Sequence, residues 1–72
     1  MKIYRVFFFN TRGMRREIGK GRTVKKANKV IARFLNEKNY KSRYWRFWEE
    51  DGYTRIDVGS WSEFFDVKEE VI

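Results

Sequence analysis

The chain has no cysteine, no histidine and no proline, and only five glycines in 72 residues. Without cysteine, neither a disulfide nor a thiolate metal site can hold a small fold together. Without histidine, the commonest general base and the commonest transition-metal ligand are both missing. A nucleophile would have to be Ser, Thr, Tyr or Lys working with a lysine or carboxylate base. Ser60 and Ser62 have no identifiable base partner and both suit capping roles. The expectation is a non-enzyme with no cofactor and no metal. Long apolar runs are missing as well. Met1 to Phe9 is apolar but interrupted by Arg5, too short for a secretory signal or for the ~20 residues of a membrane span. A soluble, cytoplasmic protein with no membrane partner is expected. No Ser/Gly-rich run marks a linker, so residues 1–72 read as a single domain.

Aromatic residues and positive charge are what the chain has in excess. A domain of this size buries only ~60% of its unfolded surface. An aromatic content of 19% offsets that, because each ring residue buries roughly 150–250 Å². The charge is distributed unevenly. From Met1 to Arg46 there are 15 Lys and Arg against two acids, Glu17 and Glu37; from Phe47 onward there are two bases against eight acids. A basic block this dense calls for a polyanion, an acidic partner, or the chain's own acidic end.

The pattern predicts an α+β fold, an antiparallel sheet packed on one helix in the order ββαββ. The C-terminal segment is left open between a fifth strand and a short helix. Lys2–Phe9 reads as a strand, and Asn10-Thr11-Arg12-Gly13 supplies turn chemistry before a returning strand at Met14–Ile18. A three-residue loop there would place Arg5 and Arg15 together on the outer face. A four-residue loop would reverse this. The first is preferred. Gly19-Lys20-Gly21 breaks the strand pattern and reads as a flexible connection. Thr23 is the expected N-cap of a helix from Val24 to about Lys38, with Val24, Ala27, Ile31, Phe34 and Leu35 as its buried stripe. Asp51-Gly52 is a strong two-residue hairpin signal between strands at Arg43–Glu50 and Tyr53–Val58. It sets Trp48 opposite Arg55, Phe47 opposite Ile56 and Arg46 opposite Asp57. Trp45, Phe47, Ile56 and Val58 then face the helix. Ser60-Trp61-Ser62-Glu63 has capping-box spacing that would suit a short helical turn.

Two surfaces carry the expected function. One is the helix side with its preceding loops, comprising Arg12, Arg16, Lys20, Arg22, Lys25, Lys26, Lys29 and Arg33. Nearly acid-free lysine and arginine at this density suits phosphate-backbone binding. The other is the sheet face away from the helix, with Tyr44, Arg46, Trp48, Tyr53 and Arg55. Rings interleaved with guanidinium groups suit a single-stranded platform, unless Trp48 with Arg55 and Arg46 with Asp57 simply pair internally. Glu49-Glu50-Asp51 reads as a solvated turn rather than a metal site. Gly19–Thr23 lacks the spacing and the Gly-Lys-Ser/Thr ending of a phosphate-binding loop.

In style, the Met-Lys-Ile-Tyr start and the run from Ile56 to Phe65 resemble short proteins encoded by bacteriophages of Gram-positive bacteria. The resemblance implies no fold and no functional residue; it implies a bacterial host cell. The order ββαββ departs from the βαββαβ of RNA-recognition motifs. It also lacks the second helix of double-stranded-RNA-binding domains and any helix-turn-helix pair. The expectation is therefore a small non-enzymatic nucleic-acid-binding protein, for DNA or RNA. The alternative is a protein-interaction module that forms a homodimer or grips an acidic protein.

Overall fold

Turn chemistry sets the ends of the strands. The computed structural model describes residues 1–42 and 44–72. In it β1 (Lys2–Asn10) and β2 (Arg15–Gly21) are joined by a turn in which Gly13 takes φ 95°. The Asn10 carboxamide accepts from the backbone N–H groups of Arg12 and Met14, the local bonding that makes Asn a turn former. The Asn10 N–H donates to the Met14 carbonyl, so the loop holds three residues. Arg15 consequently falls opposite Phe9, and Arg5 and Arg15 share the outer face. A bulge between Val6 and Phe7 absorbs Ile18, which packs against the core.

The glycines expected to form a flexible connection instead complete β2. A Cβ on Gly21 would stand 2.7 Å from the Lys26 Cβ and 2.9 Å from the Ala27 nitrogen, and one on Gly19 would stand 2.7 Å from a Val30 methyl. Bare backbone at these two positions lets helix α1 (Val24–Glu37) lie directly on β2.

The helix begins where its cap predicts. Thr23 is extended, and its hydroxyl accepts from the Lys26 N–H at 3.1 Å. Ala27, Ile31 and Leu35 are buried, with Val30 and Phe34 packed beside them. Asn39 ends the helix in the left-handed region, φ 56°, and the Tyr40 N–H returns to the Leu35 carbonyl. Thr23→Ala should cost about 1 kcal/mol. A thermal melt followed by circular dichroism should fall by roughly 4–8 °C; an unchanged melt would show that the cap contributes nothing here.

The second hairpin, β3 (Arg46–Glu50) and β4 (Tyr53–Asp57), turns at Gly52 with φ 84°. Its register is the expected one: Arg46 opposite Asp57, Phe47 opposite Ile56, Trp48 opposite Arg55. Tyr44 and Trp45 precede the strand, and Arg43, where the strand was expected to begin, lies outside the described residues.

The chain's last segment is a full strand, β5 (Glu63–Val71), and it is central. The sheet order is β2-β1-β5-β4-β3, antiparallel throughout. The short-helix alternative is thereby excluded. Ser60 does accept from the Ser62 and Glu63 N–H groups as a cap would, but the chain then extends instead of coiling. The core lies between α1 and the sheet, on Val6, Phe8, Ile31, Ile56, Val58, Phe65 and Val67.

Two expected core residues are corrected. Val24 is 52% exposed and Phe47 51% exposed. Strands lie ~4.8 Å apart, so five span roughly 19 Å between outer axes, whereas a helix is ~10 Å wide. With α1 seated over β2 and β1, both side chains border the uncovered half of the sheet.

Candidate nucleic-acid interface

The outer sheet face is built from alternate residues of all five strands, and its arginines are already engaged, while Lys20 and Lys68, on either side of Arg5, form no ion pair among the described residues. Asp66 on β5 is fully buried and accepts from Arg15 at 2.7 Å and from Arg55 at 3.1 Å. The Arg15 guanidinium lies 4.6 Å from the Phe7 ring centroid. That of Arg55 lies 4.5 Å from the Phe9 centroid and 5.2 Å from that of Tyr53. Arg5 pairs with Glu70 and Glu17, and Arg46 with Asp57 at 2.9 Å; on the helix-side face Lys2 pairs with Glu69.

These partners raise the pKa of the cations they hold. Lys2 is raised chiefly by its hydrogen bond to Glu69, Arg5 by Glu70, and Arg46 by Asp57 with Tyr44. For Arg55, burial pulls the value down, but Asp66, Tyr53 and Glu50 together outweigh it.

The expected single-strand platform meets this arrangement directly. Arg46 with Asp57 is an internal ion pair, as the register suggested. Arg55, however, stacks on Phe9 and Tyr53 and not on Trp48, whose indole N–H donates to Glu50. Tyr44 carries the Arg46 guanidinium 5.2 Å from its ring centroid. A base approaching Tyr44, Tyr53 or Phe9 would have to displace a guanidinium group from its carboxylate; the Trp48 ring carries none.

The remaining predicted cations, seven toward the helix side or its loops and Lys20 opposite Arg5 on the outer sheet face, are different. Arg12, Arg16, Lys20, Arg22, Lys25, Lys26, Lys29 and Arg33 are all exposed. None of the eight forms an ion pair among the described residues. Lys20, Arg22 and Lys26 converge on one cleft of about 500 Å³ at the start of α1, whose floor includes Ile3 and the paired Arg5. Lys25, Lys29 and Arg33 recur along the helix at intervals of four, one stripe of its surface. Arg12 and Arg16 lie at the opposite end, where the Arg16 guanidinium stands 5.8 Å from the Phe34 ring centroid. The first helical turn contains Lys25 and Lys26 and no acid. Positive charge there is unfavourable by ~0.3–1 kcal/mol, a penalty that a bound phosphate reverses.

Apart from Asp57 with Arg46 and Glu17 with Arg5, the difference between the faces originates in β5. All four acids of β5 meet cations of other elements: Glu63 with Lys38, Asp66 with Arg15 and Arg55, Glu69 with Lys2, Glu70 with Arg5. Because β5 is central, its carboxylates reach the middle of the domain but not the outward side of α1.

Sequence reasoning overlooked Trp61 as a surface residue. It stands 97% exposed in the β4–β5 loop, which the Thr11 N–H pins to the β1–β2 turn through the Ser62 carbonyl. The Ser-Trp-Ser context, with Gly59 and Glu63 as its neighbours at strand period, was the available signal. Among the described residues no helix is long and apolar enough to cross a membrane. Comparison with known proteins finds no matching family model, no matching curated protein and no matching solved structure.

Proposed function

We propose that this protein is a non-enzymatic nucleic-acid-binding protein. It contacts the phosphate backbone through Arg12, Arg16, Lys20, Arg22, Lys25, Lys26, Lys29 and Arg33. The observation that carries this reading is the sorting of charge. The arginines of the outer sheet face are matched to carboxylates of the same chain, and these eight are exposed and unmatched among the described residues. A surface of this kind releases counterions when it meets phosphate and reads little of the base sequence.

The test is a salt titration with a labelled duplex of about two helical turns. If six to eight phosphates are engaged, affinity should fall ~10³–10⁴-fold between 50 and 200 mM salt. A Kd that barely moves over that range would overturn the electrostatic mechanism. Arg46→Gln and Trp61→Ala should each leave duplex affinity within about twofold, because a cation held by its own carboxylate has few counterions to release and a duplex offers no unstacked base. An acidic protein partner would need aromatic surface buried beside the charges, since exposed ion pairs alone add little. The absorbance ratio at 260 and 280 nm of freshly purified protein separates the two partners.

A further inference from the structure

The two edges of the sheet are not equivalent. β2 is blunted by its bulge opposite Val6 and Phe7 and is overlain by α1 at Gly19 and Gly21. β3 has neither protection. It has a neighbour on one side only, its register with β4 runs unbroken from Arg46 to Glu50, and all five of its residues are exposed. Folded proteins guard such an edge with proline, a bulge, a short strand or charged side chains, and of these β3 has its shortness and the charges of Arg46, Glu49 and Glu50. Here the centre of the edge is Phe47 and Trp48, and its two ends carry opposite charges.

We infer that β3 pairs antiparallel with β3 of a second copy, about a two-fold axis at Trp48. The two five-stranded sheets then join into one.

The charges select the register. Centred on Trp48, each Arg46, whose second guanidinium edge is free of its Asp57 bond, lies opposite the Glu50 of the other copy, whose second carboxylate oxygen is free of its Trp48 bond, and the pair occurs twice. Opposite charges facing each other across strands are favourable by ~0.2–1 kcal/mol each. Centring on Glu49 would set that carboxylate against its own copy. Centring on Phe47 would give up both charge pairs. A one-residue slip is excluded because it would turn the outer face of one sheet to the helix side of the other. A parallel arrangement would stack Arg46 on Arg46.

The side chains favour the same partner. Phe47 borders the uncovered groove beside α1, and Trp48 stands 38% exposed on the outer face. A second sheet edge covers both. Five residues are well short of the ~20–30 a side of a stable interface, so the dimer is a dissociable one. The pairing requires no nucleic acid and stands or falls independently of that reading.

The test is sedimentation equilibrium of nucleic-acid-free protein from 10 µM to 1 mM. The weight-average mass should rise from 8.9 kDa towards twice that value. Glu50→Arg, which sets arginine against Arg46, should raise the dissociation constant at least tenfold, and Arg46→Glu combined with Glu50→Arg should restore it. Should the double variant melt differently from the wild type, Trp48→Lys supplies the check, since it sets two ammonium groups across the axis and should abolish the dimer. A wild-type protein that stays monomeric at 1 mM overturns the inference, as does a dimer that Glu50→Arg leaves unchanged.

Discussion

Replacing Lys20, Arg22 and Lys26 together with glutamine should weaken duplex binding several hundred-fold at 0.1 M salt. Each phosphate contact releases about 0.9 counterion, which at 0.1 M salt is worth ~0.9 decade in affinity relative to 1 M. Three lost contacts therefore remove roughly 2.7 decades. The slope of log K against log salt should become shallower by about 3. The loss should be uniform across duplex sequences, because phosphate contacts position a protein without reading bases. Folding should survive. All three side chains are exposed, and none is in an ion pair among the described residues. Removing Lys26 even relieves the first helical turn of one unfavourable charge. The matched control is Lys68→Gln, an exposed lysine on the outer sheet face whose loss should change affinity less than twofold. An equal logarithmic loss per removed charge in the two variants would mean that binding follows net charge and not the cleft.

Local chemistry made most of the elements legible. Asp51-Gly52 predicted both a hairpin and its register, because a two-residue turn leaves no freedom in the pairing that follows. Thr23 predicted the first residue of the helix for the same kind of reason: one hydroxyl answers one free N–H. The place of β5 was not legible. Its four acids offered the basic block a partner within the chain, but nothing nearby in sequence says which cation each one meets. Arg5 and Glu70 are 65 positions apart, and Arg15 and Asp66 are 51 apart. Only the fold reveals those matches, and they decide which cations remain for a ligand. Residue type and density were enough to single out the eight exposed cations, but not to show that the sheet's arginines were already engaged. The glycines of β2 were misread for a related reason. Their role is a close approach by a helix that comes later in the chain.

The central position of β5 also changes how the acidic end of the chain can be probed. Deleting the residues after Val58 would remove the strand between β1 and β4 and leave no intact sheet. A point substitution at Asp66 asks the same question without that damage. Asp66→Asn should lower the melting temperature by about 12–24 °C, which is ~3 kcal/mol at 4–8 °C for each kcal/mol in a domain of this length. Breaking a buried pair typically costs 3–5 kcal/mol. The lower end applies because Asp66 is fully buried while its partners keep water contact, Arg15 at 48% and Arg55 at 27% side-chain exposure. The cost comes from two guanidinium groups left side by side over Phe7 and Phe9 with no carboxylate between them. Removing the cations as well should recover most of the loss. Asp66→Leu with Arg15→Met and Arg55→Met replaces the charged cluster by apolar side chains of similar size, a change that is often neutral or stabilising. In the folded Asp66→Asn protein, two arginines freed beside aromatic rings should increase affinity for single strands at low salt, turning the outer face into the platform that its own carboxylate now closes. A melt within 4 °C of the wild type, with single-strand affinity unchanged, would show that Asp66 does not control this face.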